Sequence, residues 1–256
     1  MGMEEALKAS GYDLIYLAQV QWDKSYSLVQ HCRSRNVEGV LLFGFRRQDL
    51  NLDDLLRSEI PTIFIDLDLV GRRAGYITSD NAGAIREAMA YLYKLGHRDI
   101  GFLPGMADSF VGKTRFDAYR NALTEFGLPY QSDFVTFSSD FTKDDGREAM
   151  AKLLKLSKRP TAIVCASDML AIGAIETARE NGISVPEQLS VIGFDDLDIA
   201  AHYHPALTTV RQDKRALGKL ALEQLVELIR NPDCPPPSVV VPTQLVVRDS
   251  CVPPKG

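Results

Sequence analysis

Short runs of apolar and β-branched residues recur along this chain, and amphipathic segments alternate with them. Val40–Phe43, Thr62–Ile65, Ala162–Cys165 and residues 191–194 are such runs. They show no period-two polarity, so they read as strands buried on both faces. Further strands are expected at 12–18, 76–78, 100–103, 134–137, 207–210, 239–241 and 244–247. Helices are expected at 4–9, 25–35, 52–58, 83–95, 114–126, 143–156, 169–180 and 214–229. Asn81 and Asp168 stand where they can cap two of these helices. Strand and helix alternating in this way predict an α/β fold with parallel sheets covered on both faces. The chain reads as two similar strand–helix series that divide near Gly96 and His97.

Composition narrows the class. Of the 256 residues, 45% are hydrophobic and 25% charged, as in ordinary globular proteins. No apolar run approaches the roughly 20 residues that span a bilayer, and the acidic, helical N-terminus is not a secretory signal. A net charge of −5 argues against this stretch itself gripping a phosphate backbone. Cys32, Cys165, Cys234 and Cys251 are scattered, without the spacing of a zinc site or a disulfide framework, which fits a reducing cytoplasm.

The stretch 190–213, SVIGFDDLDIAAHYHPALTTVRQD, carries the most chemistry. Its strand ends in Asp195 and Asp196, where ligands sit in open parallel sheets. Either carboxylate can accept hydrogen bonds from hydroxyls, or serve only as a turn residue. His202 and His204 lie close by, but no third and fourth ligand is spaced for a closed metal site, and no metal or cofactor is expected.

Six motifs in order complete the reading: GYDL at 11–14, NVEGVLLF at 36–43, LGHRDIGFLPG at 95–105, RFDAYRNAL at 115–123, PTAIVCASDMLAIGAI at 160–175, and the block 182–213. Together they resemble the effector-binding core of LacI/GalR-family bacterial transcription regulators. The resemblance implies two doubly wound subdomains of type I periplasmic-binding-protein form, joined by three crossovers, with a ligand in the cleft between them. Carried over, the first subdomain is 1–96 plus 212–233 and the second 97–211 plus 234–256. The family's N-terminal helix-turn-helix is not among these residues, and neither is its first strand. That strand would lie centrally between 12–18 and 40–43, so the sequence is expected to be part of a longer chain.

The same resemblance assigns the ligand residues. Arg115 matches an arginine that grips effector hydroxyls, which suits the parallel donors of a guanidinium. Asp195 matches the ligand aspartate. Ser167, Asp66 and Gln212 match cleft positions, and Phe141 matches an aromatic that stacks on an apolar ligand face. Each also has a plainer reading, as a cap, turn, core or surface residue. Ser109 stands where purine-binding relatives carry arginine, which disfavours a purine. Trp22, the only tryptophan, can line the cleft mouth or serve in the core or at the surface. Met169, Ile172 and Tyr203 match a subunit interface, so a homodimer, or a tetramer, is implied. The function implied is sensing of a small polyhydroxylated metabolite, a sugar or derivative, coupled to DNA binding by the helix-turn-helix. The alternatives are a transport-type solute-binding protein and an enzyme. The latter lacks support, since no nucleophile–base set or phosphate-cradling glycine loop is present.

Overall fold

The computed structural model describes residues 2–16, 27–44, 46, 47, 49 and 52–255. Trp22 and residues 17–18 and 25–26 fall outside them. In chain order the elements are helices α1 (Gly2–Ser10) and α2 (Leu28–Ser34), strand β1 (Val40–Phe43), α3 (Leu52–Arg57), β2 (Thr62–Ile65), β3 (Ala74–Ser79), α4 (Asn81–Lys94), β4 (Ile100–Gly105), α5 (Phe110–Glu125), β5 (Val135–Phe137), α6 (Lys143–Leu153), β6 (Ala162–Cys165), α7 (Asp168–Glu180), β7 (Ser190–Asp195), α8 (Asp198–His202), β8 (Thr208–Gln212), α9 (Lys214–Arg230), β9 (Ser238–Val241) and β10 (Thr243–Val246).

The chain forms two compact units, Met1–Ser79 with Asp213–Pro242, and Asp80–Gln212 with Thr243–Gly256. The chain passes between them three times, as expected, but the first division falls at Ser79 and not at Gly96. The reason is packing: α4 lies against α5 and buries Ile85, Ala88, Met89 and Leu92 in the core of the second unit. The expected division after residue 233 shifts likewise, because β9 pairs with β3 of the first unit.

In the first unit the strands run in the order β1-β2-β3-β9, all parallel. Ile63, Ile77 and Val241 from the sheet meet Leu217, Ala221, Leu225 and Leu228 of α9. Helix α1 packs along α9 at close range: a Cβ on Gly2 would lie 2.1 Å from the Arg215 carbonyl oxygen. The strand expected at 12–18 is not formed over 12–16. Leu14, Ile15 and Tyr16 are exposed there.

The second unit holds a six-stranded sheet, β10-β8-β7-β6-β4-β5, parallel except for β10, which runs antiparallel to β8 at one edge. Parallel strands buried on both faces explain the unbroken apolar runs. Two helix pairs, α4 with α5 and α6 with α7, pack against it. The α6–α7 crossing depends on two glycines. A Cβ on Gly173 would meet the Lys143 carbonyl oxygen at 2.0 Å, and one on Gly146 the Leu170 carbonyl oxygen at 2.2 Å.

His97 occupies the end of this sheet opposite the strand carboxyl termini. It is buried, and its ring nitrogens meet the Thr161 hydroxyl at 2.8 Å, the Ser190 hydroxyl at 3.1 Å and the Val252 carbonyl at 2.9 Å. Burial lowers its pKa, although the Val252 carbonyl opposes the shift. The folded state therefore favours the neutral ring. Its contribution to stability is complete above the unfolded value of ~6.5 and is lost as pH falls through the depressed folded value. Urea midpoints measured from pH 7.5 down to 5.5 should fall more steeply for the native chain than for His97→Gln.

Candidate functional site

The residues expected to bind a ligand in the second unit lie at or just beyond the carboxyl ends of its parallel strands, where α/β sheets place their sites. Arg115 projects from α5 and is only 4% exposed. Its Nε donates to Asn81 Oδ1 at 2.8 Å and its Nη1 to the Ala166 carbonyl at 2.5 Å. The guanidinium carbon sits 3.5 Å from the centroid of the Phe194 ring, a cation–π contact in a desolvated place. The plane of the guanidinium is thus fixed from three directions.

Asp195 ends β7. Its Oδ1 accepts from Gln212 Nε2, at the end of β8, at 2.5 Å. Asp195 and Asp196 both have positive φ, +116° and +48°, conformations that L residues rarely adopt, aspartate being among the more tolerant. Asp196 is held in place by Arg211 Nε and Arg248 Nη2, each at 2.6 Å, and these partners keep its carboxyl below the usual range despite burial. Asp196 is thereby a structural carboxylate, and Asp195 stands beside it at the carboxyl end of β7.

Ser167 caps α7: its hydroxyl accepts from Leu170 N at 3.1 Å and lies 3.2 Å from the Phe141 carbonyl, to which it donates. The Phe141 ring packs against Gly105 at the end of β4. A Cβ there would overlap the ring at 2.2 Å, and Gly105 also has φ +74°, so only glycine fits. Strand β4 runs two residues past its expected end at 103, to Gly105. A chain of contacts therefore links five expected site residues, running Gln212, Asp195, Phe194, Arg115, Ala166, Ser167, Phe141.

Asp66 belongs to the first unit. It directly follows β2 with φ +58°, and its carboxylate accepts from the Thr78 hydroxyl at 2.8 Å.

The sequence reading missed Asn81 as a site residue. Asp80, not Asn81, caps α4, accepting from Gly83 N. Asn81 is the first helical residue, 2% exposed, and turns inward to orient Arg115. The same displacement occurs at α7, where Ser167 is the cap and Asp168, expected as the cap, turns inward. Ser109 caps α5, accepting from Gly112 N at 3.0 Å, so α5 begins at Phe110, four residues before its expected start.

The three expected interface residues separate. Met169 and Tyr203 are partly exposed. Ile172 is 1% exposed, covered by its own chain, and has no surface to offer a partner. Among the described residues no group of three or more His, Cys, Asp or Glu is placed to hold a metal ion. None of the described helices is long and apolar enough to cross a membrane.

Comparison with known proteins fits this geometry. Residues 89–251 match the family model of the periplasmic binding protein-like domain. The repressor PurR of Glaesserella parasuis serovar 5 (strain SH0165), an HTH-type transcriptional repressor, is 31% identical, with 98% of this chain and 75% of that protein aligned. The HTH-type regulator CelR of Thermobifida fusca is 31% identical over 98% of this chain and 74% of its own length. The chain belongs to the LacI/GalR family of transcriptional regulators. Solved LacI/GalR structures superpose on it closely. A CelR–cellobiose complex gives a TM-score of 0.86 at 32% identity, covering 97% of this chain and 76% of that one. A putative LacI regulator from Bacillus cereus subsp. cytotoxis NVH 391-98 gives 0.90 at 25% identity, covering 98% and 89%. The fold is the periplasmic-binding-protein-like α/β core of LacI/GalR regulators, and the relatives named above are transcriptional regulators.

Proposed function

We propose that this chain senses a small polyhydroxylated metabolite, a sugar or sugar derivative, on behalf of a cytoplasmic transcriptional regulator. The observation that carries the reading is the linked set Gln212, Asp195, Arg115, Ser167 and Phe141. It sets a fixed guanidinium, an acceptor carboxylate and an aromatic ring at one end of one sheet. Arg115 donates to hydroxyl oxygens and Asp195 accepts hydroxyl protons, a division of labour suited to vicinal diols. Phe141 offers an apolar face to the C–H side of a pyranose. A likeness to a CelR–cellobiose complex supports a carbohydrate over other guests, and helix-capping Ser109 offers a purine no cation. DNA contact is assigned to a helix-turn-helix segment, as in the HTH-type relatives. The regulator acts as a homodimer through Met169 and Tyr203. To transmit a signal, the sugar must bind one conformer of the chain better than the other.

A thermal-shift screen against cellobiose, ribose, sugar phosphates and nucleosides tests this. A cognate sugar at 100-fold its Kd stabilises by about 2.7 kcal/mol, a rise in Tm of roughly 5–10 °C for a chain of this size. A shift confined to nucleosides, or none across the panel, contradicts the proposal.

A further inference from the structure

Asp168 is 0% exposed, yet both of its partners are uncharged. Its Oδ2 accepts from the backbone N–H of Leu197 at 2.7 Å, and its Oδ1 accepts from the Thr209 hydroxyl. The carboxylate lies directly on β7: a Cβ on Gly193 would stand 2.3 Å from Oδ1, so any larger residue there would displace the carboxylate. Immediately downstream come Asp195 and Asp196, the two consecutive positive-φ aspartates. Such a turn persists only when its surroundings over-determine it. Arg211 and Arg248 hold its middle through Asp196, and Asp168 holds its far end through Leu197.

We propose that Asp168 is a positioning residue for the ligand carboxylate, fixing the Asp195–Leu197 turn from the start of α7 and making ligand affinity depend on pH. The proposal rests on the assignment of Asp195 to the ligand.

The groups around Asp168 support the pH dependence. Burial is the main cause that pushes its carboxyl up to about 7; the bonds from Thr209 and Leu197 oppose this, and the charges of Asp195 and Asp196 add to it. From β6, Cys165 faces it with a thiol that burial pushes up, and so is neutral. From β8 it meets the Thr209 hydroxyl, while Arg211 of that strand, and Arg248 beyond β10, are paired with Asp196. Arg115, from α5, lies on Phe194. On protonation the proton belongs on Oδ1, because the Thr209 hydroxyl can turn to accept it, whereas Oδ2 faces an N–H. The acid form thus keeps a weaker, uncharged bond to Leu197, since charged acceptors bind about twice as strongly as neutral ones. Asparagine reproduces that state, its amide oxygen toward Leu197 and its amide nitrogen toward Thr209.

The test compares the native chain with Asp168→Asn and Asp168→Ala by amide hydrogen exchange over residues 195–198 at pH 6 and pH 8, corrected for intrinsic rates. Cellobiose titrations at both pH values follow. The native turn should be several-fold better protected at pH 8. The Asn variant should match the native pH 6 value at both pH values, and the Ala variant should exchange about 10-fold faster, the loss of one hydrogen bond. Cellobiose affinity should follow the same ranking. Native protection in Asp168→Ala overturns the proposal, as does a loosened turn with unchanged cellobiose affinity. If cellobiose does not bind the native chain, the sugar giving its largest thermal shift takes its place; if no sugar does, the sugar reading fails, and the exchange data alone decide whether Asp168 holds the turn.

Discussion

Arg115→Ala is expected to abolish the sugar-induced thermal shift and to lower stability by about 3–5 kcal/mol. The binding loss follows from chemistry. Each charge-assisted hydrogen bond contributes about 1.5–3 kcal/mol, so two lost bonds weaken affinity by roughly 100-fold or more. The stability loss follows from burial. The side chain is 4% exposed, and its removal leaves Asn81 Oδ1 and the Ala166 carbonyl without this donor. It also strips the Phe194 ring of its cation. A buried polar group left unpaired costs about 1–3 kcal/mol, and a desolvated cation–π contact is worth about 2. Arg115→Lys separates the two effects. It keeps the charge but cannot reach Asn81 and Ala166 with one rigid plane, so it should fold and still bind at least about 10-fold more weakly. Calorimetric titration with the sugar that shifts the native chain, alongside urea denaturation, measures both.

The second large effect is expected at the crossing of α6 and α7. Gly173→Ala places a methyl group 2.0 Å from the Lys143 carbonyl oxygen, and Gly146→Ala places one 2.2 Å from that of Leu170. Both obstacles are backbone, so no rotamer change relieves them. Overpacking of this kind costs about 1–3 kcal/mol or somewhat more, offset by about 1 kcal/mol of improved helix propensity. A net loss of up to about 2 kcal/mol per variant, roughly 4–8 °C in Tm, is expected. The consequence reaches the site, because α6 begins two residues after Phe141 and α7 begins one residue after Ser167. Forcing the helices apart strains the 3.2 Å contact between the Ser167 hydroxyl and the Phe141 carbonyl. Thermal denaturation with and without sugar should show loss of both stability and ligand shift. Tm within a degree of the native chain would mean the helices part freely.

The strands buried on both faces were legible because nothing else explains four-residue runs such as TIFI and AIVC without alternation. Helix ends were less so. At α4 and α7 the polar residue one position inside the start was taken for the cap, because Asp, Asn and Ser all cap well. Only packing reveals that Asn81 turns toward Arg115 and Asp168 toward Leu197 and Thr209. The expected start of α5 at 114 left Gly112 outside the helix. In the fold it is required, since a Cβ there would lie 2.2 Å from the Met106 carbonyl oxygen. The assignment of α4 to the second unit was illegible too, because an apolar stripe does not say which sheet it will cover. Ile172 shows the same limit: an apolar helix position can face a partner or its own core, and here its own chain covers it. The site residues came from motif order, whereas the contacts linking Arg115 to Asp195 through Phe194 became visible only in three dimensions.

The most direct measurement is a crystal structure of this chain with the sugar that gives the largest thermal shift. The account predicts ring hydroxyls within about 3 Å of an Arg115 nitrogen and an Asp195 carboxylate oxygen, with the Phe141 ring against the sugar's C–H face. A sugar bound elsewhere, leaving Arg115 and Asp195 bonded only to protein groups, would contradict it.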